Sequence, residues 1–178
     1  MNNIYLIGMP GCGKSFLAKK VAKRLDLTYH DLDRAVEKTA KRSIVDIFSD
    51  PQAGEEHFRQ LETQELKKTL EQKGLIVATG GGAVIKAENV RLMKKGGLIV
   101  FINRPPRLIL QTLKTNKRPL LQHDTRNRLL KMFEKRYPLY KKACDLEFIS
   151  KGRRDQAVNS LTELLQSKLD LDPSKPAQ

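Results

Sequence analysis

Eight residues near the start of the chain, Gly8-Met9-Pro10-Gly11-Cys12-Gly13-Lys14-Ser15, follow the spacing G-x-x-x-x-G-K-S. That spacing suits a grip on a nucleoside triphosphate. Glycines let successive backbone N–H groups curl around an anion, because a Cβ would block the turn. Lys14 supplies a mobile charge for the outer phosphates, and the Ser15 hydroxyl can ligate Mg²⁺. Gly11, Cys12, Gly13, Lys14, Ser15 and Phe16 are the expected contacts. Cys12 sits beside Lys14 at a helix start, where a thiolate is favoured. The alternative is that it merely fills a small position. Cys144 reads as a buried structural residue.

Two carboxylates follow, Asp31 and Asp33. As residues i and i+2 of a strand they face the same side and can both point into the cleft beside the glycine loop. One can hold Mg²⁺ through water, and the other can accept a proton from an alcohol being phosphorylated. Both can also cap a helix over residues 34–39. Arg59 and Glu62 lie three apart on a helical pattern over residues 54–73, so they share a face. They form either a solvated ion pair worth well under about 1 kcal/mol or a clamp in which Glu62 holds the guanidinium for an anionic acceptor. Thr79-Gly80-Gly81-Gly82 permits close approach of backbone to ligand, or simply a tight turn. From Lys114 to Arg136 there are eight basic residues and two acidic ones, which suits a lid that closes over phosphates. Arg118 in that stretch is the candidate for stabilising the transferring group. Arg136 ends a helical pattern and either reaches into the cleft or complements the helix dipole.

Strands over residues 3–7, 28–32, 75–78, 98–102 and 146–149 alternate with helical patterns, which predicts an α/β fold with a parallel sheet covered on both faces. Ligands then gather at the carboxyl ends of the strands. With 178 residues the chain fits one domain over residues 1–170, and 171–178 reads as a flexible tail. No apolar run approaches the ~20 residues of a membrane span. Met1-Asn2-Asn3 leads straight into a strand, so no signal peptide is expected. Two cysteines make no disulfide framework, which suits a cytoplasmic setting. The formal charge of +14 fits a protein whose ligands are all anions, or a basic surface for nucleic acid. No groove-reading or aromatic-stacking motif supports the latter, so neither a nucleic acid nor a membrane is expected as partner, and a monomer is.

These features in this order resemble the shikimate kinases, within the nucleoside-monophosphate-kinase-like P-loop group. The marks are residues 8–15, Asp31-Leu32-Asp33, Gly54-Glu55 with Phe58-Arg59 and Glu62, residues 79–82, Arg118-Pro119-Leu120-Leu121, and Arg136-Tyr137 near Tyr140. The resemblance implies a three-layer fold with a five-stranded parallel sheet, a helical acceptor-binding region at about 33–62 and a lid at about 112–124. It implies ATP-dependent phosphorylation of the 3-hydroxyl of shikimate, in aromatic amino-acid biosynthesis. Asp33 is the implied base, with Asp31 near Mg²⁺ through water and Ser15 on the metal. Arg59 and Arg136 are implied to grip the shikimate carboxylate, with Gly80, Gly81 and Gly82 lining the same pocket. Arg118 is implied to bridge the phosphates. Gluconate or a nucleoside monophosphate is the alternative acceptor, and a basic nucleic-acid-binding NTPase the alternative class. Two departures stand out. Ser49-Asp50-Pro51-Gln52-Ala53 lengthens the step into the Gly-Glu pair, which reshapes the pocket entrance. Gln111 stands where many members carry an adenine-packing arginine, so Arg153 or Arg107 is the expected substitute. If Arg118 stabilises the transferring group, Arg118→Ala lowers kcat about 10³-fold in a steady-state ADP-release assay. An unchanged kcat removes Arg118 from the mechanism.

Overall fold

A computed structural model describes residues 2–52, 54–115 and 125–170. Its elements are β1 (Asn3–Ile7), α1 (Lys14–Arg24), β2 (Thr28–Asp31), α2 (Leu32–Ala40), α3 (Ile44–Phe48), α4 (Gly54–Thr69), β3 (Leu75–Ala78), a 3₁₀ turn (Ala83–Ile85), α5 (Ala87–Gly96), β4 (Gly97–Asn103), α6 (Pro106–Thr115), α7 (Thr125–Ala143), β5 (Leu146–Ile149) and α8 (Arg154–Asp170). The expected lid arginine Arg118, the rest of the 116–124 segment and the 171–178 tail lie outside the described residues.

All strand pairings are parallel, in the order β2-β3-β1-β4-β5. β1, at the centre, is buried at every position. Buried on both faces, its short run Asn3-Ile4-Tyr5-Leu6-Ile7 cannot alternate polar and apolar side chains as a half-exposed strand would. Register places Tyr5 beside Ile99 and Ile7 beside Phe101, so these four share one face. Phe101 stacks on Tyr140 of α7 at 5.0 Å between ring centroids, and the Tyr5 hydroxyl meets Thr69 Oγ1 of α4 at 2.9 Å. Helices α4, α5 and α7 therefore cover that face. On the other, α1 packs on β2 and β3 and against α8.

The second strand is shorter than the sequence pattern implies. It ends at Asp31, and Leu32 already begins α2. Asp31 is the N-cap of that helix, its Oδ1 accepting the Arg34 N–H at 3.3 Å. Asp33 lies in the first helical turn. Strand alternation thus does not align the two carboxylates; the strand-to-helix corner does. The fourth strand extends one residue further at each end than expected.

Helix α4 ends at Thr69 rather than Lys73 because its last turn tightens. Leu70, Glu71 and Gln72 donate to carbonyls three residues back. Asn3 holds that turn. Its fully buried amide donates to the carbonyls of Thr69 at 2.7 Å and Gln72 at 3.0 Å, and its Oδ1 accepts the Leu75 N–H at 3.0 Å. One side chain thereby joins β1, the end of α4 and the start of β3. Asn3→Ala leaves buried polar groups without partners. The expected loss is about 2–3 kcal/mol of unfolding free energy in urea titration, with an unchanged m-value.

Candidate active site

The carboxyl ends of β1, β2 and β3 open into one cavity of about 750 Å³. Gly11, Gly13, Lys14, Ser15 and Phe16 line it from the glycine loop, Asp31 and Asp33 from the β2–α2 corner. Arg59, Gly80, Gly81, Gly82 and Arg136 line it from α4, the loop after β3, and α7. The chain brings these expected residues together from five separate segments.

Gly13 is the N-cap of α1 and has φ 100°, a left-handed conformation that disfavours any side chain. The helix that follows turns its amino end to the cavity, where an anion is favoured. Lys14 is buried, and its ammonium donates to the carbonyls of Gly8 at 2.8 Å and Met9 at 2.9 Å. Of the two readings of Cys12, its placement matches the small filling residue rather than an accessible thiolate. Its side chain is 2% exposed and packs in the core, with the Lys14 ammonium 3.8 Å from its sulfur, so the thiol is not presented to solvent. It borders a smaller recess of about 90 Å³ with Arg104, Ser150 and Arg154, rather than the main cavity. Cys144, expected in the interior, is only partly buried; burial is still the main cause pushing its thiol pKa up.

Arg153 and Arg107 are both exposed and line neither cavity. The neighbouring Arg154, not among the residues expected from the sequence, is placed differently. It lines both cavities and sets its guanidinium over the Phe16 ring, 5.3 Å from the centroid. The sequence pointed to Arg153 or Arg107 and not to Arg154, since which arginine meets the cavities depends on how the last crossover seats on α1.

The acid side of the cavity is crowded. Asp31 accepts at Oδ2 from the Tyr29 hydroxyl at 2.7 Å, a contact that the sequence reading missed. Strand alternation on β2 would have suggested it, since residues 29 and 31 share a face. Burial, then the Asp31 bond and charge, push the Tyr29 phenol up to about 12. Asp33 is raised above the usual carboxylate range, first by burial and then by the negative charge of Asp31, with Lys14 opposing. A Cβ on Gly80 would sit 2.8 Å from Asp33 Oδ1 and 2.8 Å from Glu62 Oε1. Only glycine lets this backbone pass between the two acids.

Arg59 and Glu62 do not form the solvated pair that helical spacing alone allows. Glu62 is fully buried and Arg59 nearly so, and Arg59 NH1 donates to Glu62 Oε2 at 2.9 Å. Glu55, one turn earlier, lies 3.4 Å from NH2. The guanidinium also lies over the Phe58 ring at 5.2 Å. Its outer side rests against Gly82, where a Cβ would overlap it. Glu62 is raised above the usual carboxylate range by burial, with Arg59 opposing. Across the loop, Arg136 NH1 donates to the Gly81 carbonyl at 3.2 Å, and the Tyr140 hydroxyl donates to the same oxygen at 2.5 Å. Phe48, the last residue of α3 before the lengthened step, forms part of the rim beside Phe58, with ring centroids 4.9 Å apart.

A parallel five-stranded sheet with a glycine-rich loop after its central strand, facing acids and arginines across one cavity, defines a P-loop kinase. A family model described as shikimate kinase matches residues 10–166. The chain is 35% identical over 164 residues to a shikimate kinase of Clostridium botulinum, covering 92% of this chain and 97% of the relative. It is 36% identical over 163 residues to one of Persephonella marina, covering 90% and 97%. Among solved structures, a shikimate kinase from Acinetobacter baumannii in complex with shikimate superposes with TM-score 0.84 at 30% identity, covering 98% of this chain and 96% of that one. The chain belongs to the shikimate kinase family.

The raised pKa of Asp33 gives a stability signature. A carboxyl whose pKa is higher in the folded state is destabilising when ionised, so stability falls as pH rises through that pKa. Asp33→Asn removes this cost. The variant is expected to unfold at a higher temperature than wild type at pH 7. The gain should vanish below the ordinary carboxylate range, where Asp33 is protonated in both states. An unchanged or lower midpoint at pH 7 contradicts the assignment.

Proposed function

We propose that the chain transfers the γ-phosphoryl group of ATP to the 3-hydroxyl of shikimate, giving shikimate 3-phosphate and ADP. The observation that carries this reading is the convergence of Arg59 and Arg136 on the Gly81-Gly82 backbone, in the same cavity as Lys14 and Ser15. Shikimate is a carboxylate triol, and guanidinium forks match a carboxylate in two-pronged geometry. Arg59, Arg136 and the glycines 80–82 bind the acceptor in this reading, and Asp33 orients its hydroxyl. The hydroxyl oxygen forms the new P–O bond, the bond from γ-phosphorus to the β–γ bridging oxygen breaks, and Asp33 takes the hydroxyl proton. Positioning and charge neutralisation supply the catalysis, with no covalent intermediate.

Gly11, Cys12 through its main chain, Gly13, Lys14, Ser15 and Phe16 hold ATP in this proposal, joined by Arg118 from the lid and by Arg154 in place of Arg153. Mg²⁺ suits the donors here. Ser15 and Asp31 offer hard oxygens to one cavity, and a triphosphate supplies the remaining ligands. Both Asp31 oxygens already accept hydrogen bonds, from Arg34 N–H and Tyr29, which favours contact through water. When bound, the ion neutralises charge on the β- and γ-phosphoryl oxygens. We place residues 1–170 in one kinase domain, with the acceptor region at about 33–62 and the lid at about 112–124. A monomer in the cytoplasm fits the two cysteines and the anionic small-molecule ligands. No helix among the described residues is long and apolar enough to cross a membrane.

The test is ADP release with shikimate, gluconate and nucleoside monophosphates as acceptors. Shikimate is expected to be preferred. Arg59→Ala and Arg136→Ala should each lower kcat/KM for shikimate by about tenfold or more. Wild-type specificity constants in both variants would rule out the carboxylate clamp, and no ATP consumption with shikimate would overturn the acceptor.

A further inference from the structure

Four buried polar side chains run from α5 to the acceptor side of the cavity. Asn89, in α5, is fully buried. Its Oδ1 lies 2.7 Å from the Thr63 hydroxyl, and its Nδ2 donates to Glu62 Oε2 at 3.3 Å. Thr63 Oγ1 is also 2.9 Å from the Arg59 carbonyl, so its single proton has two acceptors in reach. Glu62 Oε2 in turn accepts from Arg59 NH1 at 2.9 Å.

The Arg59–Glu62 pair is not locked by its own geometry. Glu62 Oε1 and Arg59 Nε have no hydrogen-bond partner among the described residues. A two-pronged guanidinium–carboxylate contact would fix both planes, whereas a single N–H to oxygen contact leaves the pair free to pivot. Asn89 supplies the missing constraint from a different helix. The Thr63 hydroxyl beside Oδ1 sets the amide so that its donor faces Glu62. A buried amide costs free energy unless it is hydrogen-bonded, and the partners of this one all belong to the single turn of α4 that carries Arg59.

We propose that Asn89 is a positioning residue for acceptor binding: its amide fixes the Glu62 carboxylate, and Glu62 then sets the Arg59 guanidinium against Gly82. The role rests on the assignment of Arg59 to the acceptor carboxylate. It separates the two substrates, because among the described residues the network's hydrogen bonds end at Arg59 and none reaches the glycine loop assigned to the triphosphate.

Two variants test it. Asn89→Asp keeps the shape and Oδ1 but replaces the donor to Glu62 by an anion. Thr63→Val removes only the hydroxyl that orients the amide. Shikimate binding is measured by calorimetry without nucleotide, and both KM values by ADP release. Asn89→Asp should weaken shikimate Kd and raise its KM about tenfold, with ATP KM within about twofold of wild type. Thr63→Val should act in the same direction by about threefold. A merely structural role lowers the unfolding temperature and the active fraction but leaves the shikimate Kd of folded protein unchanged. That result in both variants, or equal losses for both substrates, overturns the role of Asn89 alone. Wild-type protein that neither binds shikimate nor consumes ATP with it overturns the acceptor assignment, and this role with it.

Discussion

A guanidinium stripped of most of its water must be held by other groups, and Arg59 is such a guanidinium. Its charge is met by Glu62 at 2.9 Å, its face by the Phe58 ring and its outer side by Gly82. Each partner constrains a different part of the chain. Glu62 and Phe58 come with the helix, so α4 must turn its polar residues inward along this stretch. A side chain at Gly82 would push the Arg59 guanidinium out of this seat. Breaking a buried pair by removing one partner is far more damaging than never having built it, because a lone buried charge has nothing to replace its water. This side of the cavity is thus organised around one buried charge held by its neighbours.

The parallel sheet makes that arrangement meet the phosphate loop. β1 lies beside β3, with Leu6 in register with Ala78, and β3 lies beside β2, with Ala78 in register with Asp31. Three strands end at the same level, and all three point the same way. Their following segments are the glycine loop, the glycine triplet and the acid-bearing corner, which therefore open into one space. An antiparallel sheet of the same strands would send alternate loops to opposite ends.

Charge in that space is balanced between groups that oppose one another. Burial raises both Asp33 and Glu62; the charge of Asp31 adds to the first and that of Asp33 to the second, while Lys14 and Arg59 oppose. Gly80 passes between the two carboxylates and keeps them close without a side chain in the way. A carboxyl poised above its ordinary range is a better proton acceptor than a surface aspartate, at the cost of some stability.

The linear sequence determined the parallel α/β sheet, because buried parallel strands read as short apolar runs between helical patterns, and this signal is local. It also determined the phosphate loop, and it picked out Asp31 and Asp33 at a strand-to-helix corner and Arg59 and Arg136 on helical patterns, although α7 runs on past Arg136 to Ala143, so Arg136 does not end a helix as expected. Tertiary structure alone decided the rest. The Arg59–Glu62 spacing is the same for a solvated and a buried pair, and only the packing of α4 under the glycine triplet distinguishes them. Arg153 and Arg154 are equivalent as neighbours in a chain, yet the seating of α8 on α1 aims one at Phe16 and the other at water. Cys12 looked reactive from its position beside Lys14, but the loop turns its thiol into the core. Asn89 carried no signal at all, since a buried amide matters only through partners 26 and 27 residues away. Local patterns specify elements because backbone geometry is short-ranged. Burial and charge pairing depend on which elements meet, and that is a property of the folded molecule.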